Sequence, residues 1–408
     1  MGQATVRAYH DSLGVASHVW YPSMGFGMVL DAASGLKGGV RLDDSGAGTL
    51  ILFGQGSAMT PSAHRISLTR VGGDSILGIE ALGQSRRLTP VPLHDDNIEF
   101  TRDTFTLRGS FVRPAKAGRY PAVLLLNGSG PSPRGLLANV AAVFAANGVA
   151  ALVYDKRGTG ASGGTYTTDD FLALSEDVKG ALRYLRSRAD VDTSRIGILG
   201  TSQGVYTAMM VAASDPSIRF IISSSGGAFP AEQEIYRRVR EVADSGYSAE
   251  AQAQARAFLS RLFPYYAAVG SGSANVDTVG LAALYRSAVT QKWWPLIAGP
   301  ANDPTVGAWP PARKIFAADL GRDWKSIYGR VNARVYAVNA SNDQLVPPDV
   351  ARETLIRYLP RGAAQVQSRV LNGDHGFTVI GSDGVTPIYD PRYMPLLIEW
   401  VVAATRAR

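Results

Sequence analysis

From Thr104 onward the chain alternates short apolar runs with segments of helical period, a rhythm that few folds accept. The runs FTLRGSFV, AVLLLN, ALVYD, RIGILG, RFIISS, ARVYAVN and AQVQSRVL each suit one strand. The stretches 134–147, 168–188, 203–214, 348–359 and 391–406 between them have helical spacing. Together they predict an α/β class chain, with βα units arranged around a mostly parallel sheet.

The rhythm is absent from two places. Residues 1–100 are rich in glycine and serine, and short β-leaning pieces (GMVLDA, TLILFG, RISLTRV, SILGIEAL) lie between turn signals, which predicts a small β-rich N-terminal domain. The proline- and aspartate-rich LTPVPLHDDN, 88–97, marks its boundary. Residues 228–326 replace the strand-helix rhythm with helix-period sequence containing Tyr265, Tyr266, Trp293, Trp294 and Trp309. An insertion of that size in an α/β unit predicts a helical cap. The catalytic unit is then 101–227 together with 327–408.

Composition removes several function classes. The chain has no cysteine, which excludes disulfides, thiolate metal sites and cysteine catalysis. Its net charge of +7 comes from scattered residues, mostly arginine, without the basic runs or aromatic interleaving of a nucleic-acid face. The most membrane-like stretch, ANVAAVFAANGVAALVY, is cut by Asn147-Gly148 into halves too short to span, so it reads as core. Polar sequence after Met1-Gly2 predicts either a cytoplasmic protein or a periplasmic or secreted one whose signal peptide has been removed.

The pattern G-x-S-x-G occurs twice, as GASGG around Ser162 and GTSQG around Ser202. A serine nucleophile on a sharp elbow needs a strand before it and a helix after it. The turn then lifts Oγ clear of the sheet, and the helix N-terminus stabilises developing negative charge. Ser202 follows RIGILG directly and precedes VYTAMMVAAS. Ser162 has neither neighbour and reads as a turn residue. The same loop holds GTGASG, 158–163, which matches a dinucleotide fingerprint in letters only: no helix opens there, and Glu176 and Asp177 fall inside the next helix. No cofactor and no metal are expected.

Serine attacks an acyl carbon only when a base takes its proton. His10, His18, His64 and His94 fall in or beside the N-terminal region, which leaves His375, in the polar loop NGDHGF after the last predicted strand. Asp343, after ARVYAVN, is the acid expected to orient it; Asp374, Asp319 and Asp323 are rivals. The order Ser202, Asp343, His375 is that of α/β-hydrolases. An oxyanion hole needs two backbone N–H groups, expected from Gln203 and from Ser129 in the loop NGSGP. Asn127, Gly128, Thr201, Trp293 and Trp294 are the expected pocket residues.

With these residues placed, the chain resembles the bacterial α/β-hydrolase esterases of the serine-aminopeptidase-like branch that carry a small β-rich N-terminal domain. PAVLLLNGSGP, LVYDKRGTGASGG, LSEDVKGALRYLRSR, RIGILGTSQG, SNDQLVPP and NGDHGF carry the likeness, which covers roughly 104–227 and 327–408. Asn127 stands where that family usually has histidine, and GTSQGV replaces its commoner G-H-S-x-G-G. The resemblance implies an α/β-hydrolase fold and a Ser-His-Asp hydrolase acting on a small-molecule ester or related acyl substrate. Peptidase or amidase action, carbon-carbon bond hydrolysis and acyl transfer use the same triad, and a non-catalytic binding module is the alternative from another class.

Overall fold

A computed structural model of the chain describes residues 5–406 except 12–14, 22–25, 54–58, 72–73, 103, 167–169, 271–282, 284 and 299–317. Trp309, one of the aromatic residues of the expected cap, lies outside the described residues.

The β-leaning N-terminal pieces form a closed antiparallel barrel. Its strands are β1 (Thr5–His10), β2 (Val15–Tyr21), β3 (Phe26–Asp31), β4 (Lys37–Leu42), β5 (Ala47–Phe53), β6 (Met59–Val71), β7 (Asp74–Ala81) and β8 (Gln84–Val91). Pairing of Tyr9 with Pro90 helps join β1 to β8, and closure leaves no free edge. Tyr9, Val29, Val40, Ile66, Leu77 and Leu88 fill the interior. Pro90 comes after Leu88, the last residue of β8 paired with β7, so it interrupts no ladder on that side.

Only Pro92 separates β8 from β9 (Leu93–Arg102), so the expected boundary segment is largely strand. β9 pairs with β10 (Phe105–Pro114) and opens the main sheet. The sheet continues with β11 (Tyr120–Leu126), β12 (Ala150–Tyr154), β13 (Val191–Thr201), β14 (Phe220–Ser224), β15 (Arg334–Ala340) and β16 (Val366–Leu371). Its order is β16-β15-β14-β13-β11-β12-β10-β9, parallel from β16 to β12, with β10 antiparallel to β12.

Helices α1 (Gly135–Ala146), α2 (Phe171–Ser187) and α3 (Gln203–Ser214) flank this sheet. α1 is buried from Ala138 to Ala145 because the sheet covers one side and Val6, Ala8 and Val19 of the barrel cover another. That explains its membrane-like composition: a helix apolar all round is one covered all round. α2 carries one apolar face, Leu174, Val178, Ala181, Leu182 and Leu185, into the core on the opposite side of the sheet.

After β14 the chain leaves the sheet for α4 (Pro230–Asp244) and α5 (Ala249–Gly270), which pack on each other. Val242, Phe258, Leu259 and Phe263 give this cap its own hydrophobic cluster. The molecule is thus an α/β-hydrolase fold with a helical cap insertion and an N-terminal β-barrel. A last feature was not anticipated: β17 (Thr378–Ile380) and β18 (Pro387–Tyr389) form a two-stranded hairpin outside the main sheet.

Candidate active site

In parallel α/β sheets, ligands bind beyond the carboxyl ends of the strands, where strand order reverses. Here β11 leads to β12 on one side and β13 lies on the other. Asn127 follows β11, Ser202 follows β13, Asp343 follows β15 and His375 follows β16, so all four sit at that edge.

Ser202 adopts φ 51° and ψ −115°, a backbone conformation that L-residues rarely hold and that costs on the order of 1–3 kcal/mol. Two contacts impose it. Its N–H donates to Ser224 O at 2.9 Å, and α3 begins at the next residue. A Cβ on Gly204 would lie 2.8 Å from Leu126 O, so glycine is needed for α3 to start this close to β11. A Cβ on Gly128 would stand 3.4 Å from Ser202 Cβ and 4.0 Å from its Oγ, which puts the loop Asn127–Gly130 against the serine.

His375 Nδ1 lies 2.9 and 2.8 Å from the two carboxylate oxygens of Asp343. Asp343 is 1% exposed, and its Oδ1 also accepts from the N–H groups of Leu345 and Val346 at 2.7 and 2.8 Å. A buried carboxylate so surrounded is held as an acceptor facing the imidazole. The rivals have other work. Asp319 accepts from Phe171 N and from Arg322 Nε, and burial pushes its carboxyl up to about 6. Asp323 caps the helix Trp324–Gly329, and Asp374 accepts from the N–H groups of Gly376 and Thr378.

Gln203 is the first residue of α3 and Ser129 is exposed on the Asn127–Gly130 loop. A cleft beside them is lined by Asn127, Tyr154, Lys156, Leu174, Gln203 and Thr207. Thr201 ends β13, beside the elbow.

Lys156 was not anticipated. Its Nζ donates to Gly128 O at 2.8 Å and to Gln203 Oε1 at 2.6 Å, joining the two segments expected to supply the oxyanion donors. Its own N–H donates to Ser132 O, while Arg134 N donates to Asp155 Oδ1 at 2.7 Å and Gly130 N to Tyr166 Oη. The segment 155–166 therefore clasps the loop from Gly128 to Arg134 that follows β11. Burial pushes the Lys156 ammonium down to about 8. The sequence signal was a lysine placed two residues after an apolar strand that is buried throughout.

The two tryptophans expected at the pocket pack with the cap's own apolar residues. Trp293 is 3% exposed within the cap's own cluster, and Trp294 meets Phe258 and Tyr285 edge-on. An insertion of this size needs a core, and these rings are used there. The cap meets the Asp343 loop through polar groups: Tyr236 Oη donates to Asp343 O at 3.1 Å, and Arg240 donates to Asn342 Oδ1 at 2.9 Å.

The family model of X-Pro dipeptidyl-peptidases (S15 family) matches residues 103–349, more than half of the chain, and includes Ser202 and Asp343. A thiohydrolase of Arthrinium phaeospermum is 33% identical over 151 residues, 36% of this chain and 48% of its own length. A polyketide transferase of Penicillium crustosum is 34% identical over 132 residues, 31% of this chain and 43% of its own. A quorum-quenching protein of Acinetobacter baumannii is 31% identical over 139 residues, 34% and 46% of the two chains. The chain thus spans about half the length of these curated relatives. Among solved structures, an α/β hydrolase from Penicillium sp. sh18 covers 78% of this chain and 100% of its own, at 17% identity and a TM-score of 0.48.

Proposed function

Because the chain belongs to the X-Pro dipeptidyl-peptidase (S15) family, we propose that it is a serine hydrolase cleaving carboxylic esters through Ser202, His375 and Asp343. The observation that carries this reading is the His375–Asp343 contact, at 2.8–2.9 Å to a buried carboxylate, on the same sheet edge as a serine at φ 51°. With Nδ1 facing Asp343, Nε2 is the nitrogen available to the serine. His375 takes the Ser202 proton as Oγ attacks the ester carbonyl, and the N–H groups of Gln203 and Ser129 receive the oxyanion. Collapse expels the alcohol, protonated by His375, and leaves an acyl-enzyme. Water deprotonated by the same histidine then releases the acid and restores the serine.

A second reading is favoured by the named relatives: a thiohydrolase and a polyketide transferase point to thioester acyl groups, with water or another nucleophile as acceptor. The family's own description favours a third, cleavage of X-Pro peptides. A panel of p-nitrophenyl esters, acyl thioesters and X-Pro p-nitroanilides ranks the three by kcat/KM. Ester hydrolysis in the lead supports the first reading. Failure of Ser202 to take a fluorophosphonate label would remove all three and leave the binding module.

A further inference from the structure

We propose that the N-terminal barrel is a positioning device for His375, acting by gripping the β17–β18 hairpin that follows it; Lys37 and Ile388 are the positioning residues. This inference rests on the reading of His375 as the general base.

His375 stands between two anchors. On one side is β16; on the other, three residues later, the hairpin begins at Thr378. The link between them is strained, because Phe377 is held at φ 56°, which a bulky residue keeps only where its surroundings demand it. Phe377 is 2% exposed and stacks on Tyr393 with ring centroids 4.3 Å apart. A hairpin of two three-residue strands has little stability of its own, so something else must hold it.

The barrel does so with both apolar and polar contacts. Ile388 is 4% exposed and, with Val379, joins the cluster that fills the barrel interior. Leu36 bridges to Ile388 as a strand partner, and Tyr389 N donates to Gly35 O at 2.8 Å. Lys37 Nζ donates to Thr378 Oγ1 at 3.1 Å and lies 3.7 Å from the centre of the Tyr389 ring. His64 Nε2 meets Thr386 Oγ1 at 2.6 Å and lies 3.3 Å from Asp383 at the hairpin turn. The hairpin therefore plugs the barrel, and the loop carrying the imidazole ends on the plug. Opposite this grip, Ser225 Oγ donates to His375 O at 2.7 Å and ties the same loop to the end of β14.

The test compares Ile388→Ala, Lys37→Met and Lys37→Arg with a control, Val19→Ala, which removes methyl groups on the barrel's α1-facing side. Hydrogen exchange of residues 373–378 is read by mass spectrometry alongside kcat and KM on p-nitrophenyl acetate in the full chain. Ile388→Ala and Lys37→Met should speed exchange in that loop at least tenfold and lower kcat tenfold or more with KM within twofold. Lys37→Arg should recover most of both, and Val19→Ala should lower Tm alone. In a His375→Ala background, Lys37→Met should cause no further loss of rate. If Ile388→Ala fails to fold, Lys37→Met carries the test. Unchanged loop exchange in Lys37→Met, or kcat loss in Val19→Ala as large as in Lys37→Met, would overturn the proposal. Exchange reads the grip without catalysis, so an inactive wild type would remove the hydrolase reading while still deciding whether the barrel holds the loop.

Discussion

Ser202 in GTSQG and Ser162 in GASGG share a letter pattern, and the glycines around them answer different physical needs. At the elbow, Gly204 is required because the α3 backbone comes within reach of Leu126 O. In the other loop, Gly160 has φ +55° and a Cβ there would stand 2.5 Å from the Asp155 carboxyl carbon, so the chain must turn tightly around that side chain. Asp155 repays the crowding with bonds to Arg134 N and Ala161 N, at 2.7 and 3.0 Å. Ser162 Oγ accepts from Arg108 N at 2.9 Å and so fastens the loop to β10. One loop sets a serine at a strained turn between strand and helix; the other holds the segment after β11 in place. Glycines beside a serine thus report crowded backbone, and only the strand before and helix after distinguish a nucleophile from a clasp.

Four substitutions sharpen or break this contrast. Ser202→Ala has the largest expected effect: ester hydrolysis should fall by about 10⁶ in kcat, to the residual level left by binding and the oxyanion donors. A variant retaining most activity would put the nucleophile elsewhere. Lys156→Met comes next, with kcat lower by about 100-fold, or ~2.7 kcal/mol, and KM little changed, since its bonds to Gly128 O and Gln203 Oε1 preorganise groups used in the transition state. The wild type should also lose rate as pH rises through about 8, where Lys156 gives up its proton, so the brace is charged below that pH and neutral above it. In Lys156→Met that alkaline fall should vanish; its persistence would assign it to another group.

The third is Gly160→Ala, which should lower stability by about 1–3 kcal/mol through strain and contact with Asp155, measured by urea unfolding. Ser162→Ala is the smallest: it removes the acceptor for Arg108 N, costs about 1 kcal/mol, and should leave kcat nearly intact. Loss of activity there as deep as in Ser202→Ala would reverse the roles of the two loops.

The parallel sheet was legible because runs such as AVLLL and RIGILG are apolar and end in turn signals, and β11 and β13 were placed within a few residues. The elbow and the two later loops followed from their positions after strands. Barrel closure was not legible, because it depends on the pairing of Tyr9 with Pro90, eighty-one residues apart, and the prolines near 90 read as a boundary. β9 was missed for the same reason: HDDN looks like a turn, yet the strand pairs with β10 along its whole length. Aromatic content does not say which side a ring faces, so the surroundings of the cap tryptophans were not legible either. Trp293 is buried in the cap cluster with Trp294 half-buried against it, and the cap meets the acid loop through Tyr236 and Arg240.

The plug that completes the N-terminal barrel comes from near the other end of the chain: Lys37 and Thr378 are 341 residues apart in sequence. During synthesis the barrel strands emerge first, yet their interior stays uncapped until the hairpin arrives, on the order of 15–70 s later at ordinary elongation rates. Contacts of such long range form late and slowly. The barrel, made well before the hairpin, is therefore among the last parts to finish folding. Ribosome-bound chains halted before Thr378 should yield a barrel that protease cuts readily, and chains released after Tyr389 one that resists.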